Sequence, residues 1–500
     1  MIKLLIVLLF FISHISSSAD KPNIIFIYAD DIGYGDFGCY GGEVQTVNID
    51  DIAEKGVQFL NGYCTSSTCT PSRYSLLTGE HAFRNKGAKI LEGNAPLIID
   101  PKRPTIAQFL KDNGYSTMLS GKWHLGLGTA IESLNWNGVI SPGPKELGFT
   151  DSFHMAATAD RVPSVYIRDG KVVDLDPNDP IEVSYVKKVG NEPTGLSHPH
   201  LLSVQADEQH AKTIINGISR IGWMSGGHQA RFRDEDMADT YLNEAISFIH
   251  KSKNKPFFLY FAPNENHVPR IVHKRFQGST SLGPRGDAIA VFDWCVGRLV
   301  EELKIANVYD NTLIIITSDN GPVLFDGYWD GAIEKKGTHK AAGPLKGGKY
   351  SLWEGGTRVP FIAYWPKKSK PLVSNAIVSQ LDLYATIADI IDIPIPENAG
   401  QDGVSVLDAL IGESEVGRSY VVQEAPYGLA IRFENFKFIP PGIIRERVGI
   451  GRWKQTNVPK PGFLFDLSND INEDTNLSSI YPNRVREINE LLINIRSRKN

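Results

Sequence analysis

The chain has 500 residues, 42% of them hydrophobic and 22% charged, with a formal net charge of −5. That balance excludes a disordered or fibrous chain, and an acidic excess without any Lys/Arg-rich block excludes a nucleic-acid footprint. Cys39, Cys64, Cys69 and Cys295 are unevenly spaced and do not read as a disulfide framework, in a chain long enough for one large core and a smaller second one.

Residues 1–19 begin with Lys3, run apolar over 4–12 and close on Ser16, Ser17, Ser18 and Ala19. This is the layout of a secretory signal peptide cleaved after Ala19, so the protein is expected to be exported, to the periplasm or the medium. The apolar run is far short of the roughly 20 residues a spanning helix needs, so no stable membrane anchor is expected.

The apolar run 23–28 then breaks into Asp30-Asp31-Ile32-Gly33, a buried strand ending in a polar loop. Three further runs repeat the form: 115–119 before Gly121-Lys122-Trp123-His124, 256–261 before Asn264-Glu265-Asn266-His267, and 312–317 before Ser318-Asp319-Asn320-Gly321. Helical patterns cover 105–113, 236–251 and 287–306. The alternation predicts an α/β fold, a mostly parallel central sheet flanked by helices, whose strand ends deliver polar groups to one crevice. Each loop alone is also an ordinary turn; the repetition carries the reading.

From about 130 to 235 the rhythm gives way to Gly, Pro, Asn and His, which predicts an insertion beside the crevice. After Asp408, strands at 420–423, 429–439 and 463–467 and a helix at 482–498 predict a smaller C-terminal α+β lobe with an antiparallel sheet. The chain is thus read as 1–19 signal peptide, 20–408 α/β catalytic domain and 409–500 C-terminal subdomain.

The densest chemistry lies in Ser67-Thr68-Cys69-Thr70-Pro71-Ser72-Arg73. A helix opening at Pro71 would set residue 69 among free N–H donors, where an anion is welcome. Asp30, Asp31, Asp319 and Asn320 form a second group. Two unit charges about 4 Å apart cost roughly 4 kcal/mol at an effective dielectric of 20, so three gathered carboxylates call for a cation or protons. Oxygen donors select Ca²⁺ or Mg²⁺ over zinc, although either pair alone also reads as a turn or helix cap. Arg73, Lys122, His124, His267 and Lys349 supply cations and proton-transfer groups, with Lys346 a rival to Lys349.

The segment 67–79 resembles the signature of the type I sulfatases, C-x-P-S-R followed by a hydrophobic pair and Thr78-Gly79, and 114–124, ending in Gly121-Lys122-Trp123-His124, is similar to that family's second signature. Residues 347–360 resemble its glycine-rich lysine segment and 463–477 its C-terminal lobe, with Ile471 where relatives often carry Pro. The resemblance implies an alkaline phosphatase-like fold, oxidation of Cys69 to formylglycine (3-oxoalanine) by a maturation enzyme, and Ca²⁺ held by Asp30, Asp31, residue 69, Asp319 and Asn320. It further implies that a hydroxyl of the hydrated aldehyde, deprotonated with help from Asp319, attacks sulfur. Lys122 and Lys349 then hold the sulfate, Arg73 steadies the nucleophile, His267 protonates the leaving oxygen, and His124 deprotonates the second hydroxyl to expel sulfate.

The stretches beginning Ala159-Asp160-Arg161 and Gly222-Trp223-Met224 look like those of bacterial sulfatases acting on polysaccharides with galactose or N-acetylgalactosamine units. Asp160 and Arg161 would there grip sugar hydroxyls, with a plain surface ion pair as the alternative. A 6-O-sulfate is favoured over a 4-O-sulfate. A phosphonate or phosphodiester hydrolase of the same superfamily and a non-catalytic calcium-dependent glycan-binding protein are the competing readings, and the set Lys122, His124 and Lys349 favours sulfate hydrolysis.

Overall fold

The computed structural model describes residues 21–498, so the predicted export segment, 1–19, lies outside the described residues. No helix among them is long and apolar enough to cross a membrane.

In chain order, β1 (Asn23–Ala29), α1 (Val47–Lys55), β2 (Val57–Tyr63), α2 (Cys69–Thr78), α3 (Ile106–Asp112) and β3 (Ser116–Lys122) come first. They are followed by β4 (Asp151–Met155), β5 (Ile167–Arg168), β6 (Lys171–Val172), β7 (Glu182–Ser184), β8 (Ile214–Ile215), β9 (Ile218–Ser219) and β10 (Trp223–Ser225). Next stand α4 (Met237–Ser252), β11 (Phe257–Ala262), α5 (Gly283–Ile305), β12 (Thr312–Ser318), α6 (Glu354–Thr357), β13 (Phe361–Tyr364), β14 (Leu372–Ser379), α7 (Asp382–Ile390) and α8 (Leu407–Leu410). The chain closes with β15 (Tyr420–Ala425), β16 (Gly428–Phe433), β17 (Phe436–Ile439), β18 (Gly442–Gly449), β19 (Arg452–Val458), β20 (Phe463–Asp466) and α9 (Pro482–Ser497).

Among the described residues, ten strands join in one sheet in the order β14-β2-β13-β12-β1-β11-β3-β4-β5-β6. The centre, β12-β1-β11-β3-β4, is parallel, and β13 runs against both its neighbours. Alternate residues of β1 show why its run is unbroken. Ile24, Phe26 and Tyr28 join the core with Leu76, Leu110 and Tyr384 of α2, α3 and α7, while Ile25, Ile27 and Ala29 join Ile52, Leu242 and Leu299 of α1, α4 and α5. A strand covered on both faces has no polar positions to alternate. The start of α3 is set locally, where Thr105 Oγ1 accepts the Gln108 N–H at 3.1 Å.

The second sheet, β15-β16-β17-β20, is antiparallel. Val422, Ile431, Phe438 and Leu464 on one face pack against Val485, Ile488, Leu492 and Ile495 of α9. A buried charge set ties this lobe to the first: Lys437 Nζ of β17 lies 3.1 Å from Glu354 of α6 and 2.9 Å from Glu473, all three side chains fully buried.

The expected fold class stands, with four local differences. The predicted strand 429–439 is two strands, because Glu434 turns the chain at φ 54°. Part of the predicted insertion, 151–172, extends the central sheet as β4, β5 and β6, and the rest carries the short pairs β7–β10 and β8–β9 and several single 3-10 turns. The helix of the cysteine motif begins at Cys69, two residues before Pro71. The hairpin β18–β19 belongs to neither main sheet.

Candidate active site

β1 and β12 are parallel neighbours with Ala29 opposite Ser318, so the pairs that follow them, Asp30-Asp31 and Asp319-Asn320, emerge side by side. The Asp31 N–H donates to Asp319 Oδ1 at 3.2 Å and Asn320 Nδ2 to Asp31 Oδ1 at 2.7 Å. All four are fully buried. β3 delivers Lys122, whose Nζ lies 2.5 Å from Asp30 Oδ2. The glycine before it is required: Gly121 sits at φ +121°, and a Cβ there would stand 2.0 Å from the Ala262 carbonyl oxygen of β11. Arg73, from α2, donates Nε and Nη2 to Asp319 Oδ2 at 3.0 and 2.8 Å. Lys349 Nζ donates to Asp31 Oδ2 at 2.8 Å and to Asp326 Oδ2 at 3.1 Å. Lys346 instead bonds the Glu473 carbonyl at 3.0 Å and lies over the Trp353 ring, outside this group.

Arg73, Lys122 and Lys349 thus face Asp30, Asp31 and Asp319, and much of the repulsion expected from the sequence is met by the protein's own cations. Some of it persists. Burial and the neighbouring Asp319 push Asp30 up to about 7, against the pull of Lys122. Burial also raises Asp31, whereas at Asp319 burial is overruled by Arg73, Lys122 and Lys349, which hold its carboxyl below the usual range. Asp30 Oδ1 and Asn320 Oδ1 are buried without a hydrogen-bond partner, and Asp30, Asp31 and His267 can bring ligand atoms within 4.8 Å of one another. Orphaned, mostly oxygen donors beside a carboxylate pair fit a hard divalent cation.

Cys69 is the first residue of α2, whose N-cap Thr68 makes no side-chain cap, so its Sγ stands at a helix end that favours negative charge. His124 Nδ1 lies 3.3 Å from that sulfur, and its Nε2 lies 3.0 Å from the Leu91 carbonyl. Because a carbonyl only accepts, the proton belongs on Nε2 and Nδ1 is left as the acceptor facing residue 69. His267 is arranged the other way: Nδ1 faces the Val268 carbonyl at 2.7 Å, and Nε2 lies 3.9 Å from Asp31 Oδ2. Burial holds both imidazoles well below their usual pKa, reinforced by Lys122 and Arg161 at His124 and by Lys349 and Lys122 at His267.

A cavity of about 460 Å³ opens from Cys69, His267 and Lys349, within the size range of small-ligand sites. Asp160 and Arg161 line it as well. They are no surface pair: Asp160 is 2% exposed and accepts from Arg161 Nη1 at 2.7 and 2.9 Å. His210 completes that group, with Nε2 3.4 Å from Asp160 and Nδ1 2.7 Å from Asp207. Tyr350, from the glycine-rich lysine segment, also borders the cavity, as do His210, Asp326, Tyr427, Arg447 and Trp453, which belong to no motif. The one sequence mark for the last two is the turn Gly449-Ile450-Gly451 between two strand-like runs. Among the described residues all four cysteines are free thiols.

A family model described as Sulfatase matches residues 22–393. An N-acetylgalactosamine-6-O-sulfatase of Bacteroides thetaiotaomicron is 45% identical over 485 residues, covering 96% of this chain and 94% of the relative. Human arylsulfatase A is 29% identical over 477 residues, covering 92% and 84%. Among solved structures, one from work on the metabolism of multiple glycosaminoglycans by Bacteroides thetaiotaomicron superposes with a TM-score of 0.92 at 46% identity, over 96% of this chain and 100% of that one. Another, in complex with a neocarrahexaose, superposes at 0.68 and 26% identity over 95% and 92%.

Proposed function

The chain belongs to the sulfatase family and is a sulfuric ester hydrolase, and on that premise we propose that it removes 6-O-sulfate from N-acetylgalactosamine units of a glycan. The observation that carries this reading is the buried group Asp160, Arg161 and His210 in the same cavity as Cys69 and Lys349. A carboxylate and two cations fixed against one another offer oriented donors and acceptors to sugar hydroxyls, which select one epimer over another when buried polar groups would otherwise go unpaired. The name of the 45%-identical relative supports the same substrate.

In this reading Asp30, Asp31, Asp319, Asn320 and residue 69 hold Ca²⁺, which when bound supplies positive charge where a sulfate ester develops negative charge. Formylglycine made from Cys69 supplies, once hydrated, a hydroxyl nucleophile and a second hydroxyl through which the aldehyde can be restored. Lys122 and Lys349 hold the sulfate oxygens and neutralise them. Arg73, with two hydrogen bonds to Asp319, fixes that carboxylate beside residue 69. His124 Nδ1, free to accept, takes the proton of residue 69. His267 exchanges a proton with the leaving oxygen through Nε2. The negative charge of a sulfate ester beside Lys349 and Lys122 offsets the repulsion that keeps this imidazole neutral. The protein works after export, and its partners are the sulfated saccharide and the enzyme that oxidises Cys69.

Sulfate release from N-acetylgalactosamine-6-sulfate, its 4-sulfate isomer and N-acetylglucosamine-6-sulfate tests the proposal. The first should exceed the others by about tenfold or more in kcat/KM; equal turnover of all three would sink it.

A further inference from the structure

The hairpin β18–β19 takes no part in the chemistry above, yet it borders the same cavity. Residues 442–458 carry Arg445, Arg447, Arg452 and Lys454 against a single carboxylate, Glu446, in a chain of net charge −5. Arg447 anchors the hairpin by pairing with Asp326, the carboxylate that also holds Lys349 Nζ at 3.1 Å. Beside that anchor Trp453 packs its ring 5.3 Å from Tyr350 and 5.3 Å from the Arg447 guanidinium, and still remains 48% exposed. Tyr427 repeats the arrangement: the Arg445 guanidinium lies 4.5 Å over its ring, and the residue is 54% exposed.

Two aromatic rings, each steadied by a guanidinium and each left half open at the mouth of a pocket, mark a surface that something covers. We infer that this edge is a second glycan subsite, in which Trp453 and Tyr427 receive the apolar face of the sugar linked to the sulfated unit. Arg445 and Arg452 attract the acidic groups that such a chain carries. Continuity decides the occupant. The cavity that begins at Cys69 and Lys349 is bordered by Tyr427, Arg447 and Trp453, so a sugar attached to the sulfated unit leaves past these rings. Charge agrees, because a local excess of cations on an acidic protein suits a polyanionic ligand. An amphipathic ring pre-ordered by its neighbours also binds at low entropic cost.

The inference rests on the glycan reading above, and its test separates the two. Sulfate release is measured from N-acetylgalactosamine-6-sulfate and from a tetrasaccharide in which the same unit, at its end, is joined to uronic acid. In a Trp453→Ala/Tyr427→Ala variant the ratio of kcat/KM for tetrasaccharide over monosaccharide should fall about tenfold. Trp453→Phe, which keeps a stacking ring, should retain most of the wild-type ratio. A ratio that does not move, whether both substrates slow together or neither does, overturns the subsite alone. No sulfate release from either substrate by the matured wild type overturns the substrate reading and the subsite with it.

Discussion

His124 turns Nδ1 to the sulfur of Cys69, 3.3 Å away, and holds its other nitrogen against the Leu91 carbonyl. That geometry fits a base that acts on residue 69 and on nothing else in the pocket. His124→Ala should therefore slow the step that frees the enzyme more than the step that cleaves the ester. The expected outcome is a rapid burst of desulfated alcohol near one equivalent, then turnover lower by about 10²- to 10⁴-fold. Rapid-quench kinetics check it, and equal loss of burst and steady state would remove His124 from that role.

Mass spectrometry of the peptide around residue 69, in protein from its own host, should show a loss of about 18 Da relative to cysteine. A pKa raised by burial makes an unmodified Cys69 a poor thiolate nucleophile. An intact thiol in fully active protein would therefore contradict the proposed chemistry.

Lys349 and Lys346 stand three residues apart and meet different partners. Lys349→Ala removes an ammonium from Asp31 and from the sulfate position, and kcat/KM should fall by about 10²- to 10³-fold. Lys346→Ala breaks contacts only with Glu473, Asp474 and the Trp353 ring. Its turnover should stay within about twofold and its stability within about 1 kcal/mol of wild type, as for other partly exposed pairs. Parallel kinetics and thermal melts decide between the two lysines.

The partnerless oxygens of Asp30 and Asn320 predict that metal-free protein gains stability from Ca²⁺ alone. At about 100 times its dissociation constant, Ca²⁺ should add about 2.7 kcal/mol, read as a rise in Tm on titrating chelator-stripped protein. Asp30→Asn should abolish most of that rise. No response to Ca²⁺ at millimolar concentration would remove the metal from these residues.

These outcomes also show which parts of the molecule are legible in its sequence. β1, β11 and β12 are legible because both their faces are covered, which leaves unbroken apolar runs. β2 is not, because Gln58 and Asn61 interrupt it with polar side chains that serve distant partners, the Cys39 carbonyl and Arg432. The same contrast holds in the site. Asp30 and Asp319 follow strands directly, Lys122 closes β3 and His267 lies in the loop after β11, so the strand pattern predicts their convergence. Asp326, His210, Arg447 and Trp453 reach the pocket from loops and a hairpin whose placement depends on tertiary packing, and nothing in their neighbours' periodicity announces it. Arg447 meets Asp326 across 121 positions of chain.

His210 carries the clearest pH dependence. Burial would lower its pKa, but hydrogen bonds and charge from Asp160 and Asp207 overrule it and raise the imidazole to about 9, from 6.5. The folded protein therefore holds a proton there that the unfolded chain releases. Its stabilising effect is full below pH 6.5, fades as pH rises from there to about 9, and is gone above. The shift corresponds to something on the order of 3 kcal/mol. Urea unfolding of wild type and His210→Gln between pH 6 and about 10 should show wild type losing an advantage of that order as pH rises, while the difference stays constant below 6.5. Identical pH profiles for the two proteins would mean that folding does not shift the His210 pKa, which leaves the imidazole neutral above pH 6.5. The Asp160 carboxylate would then face Arg161 without a second cation.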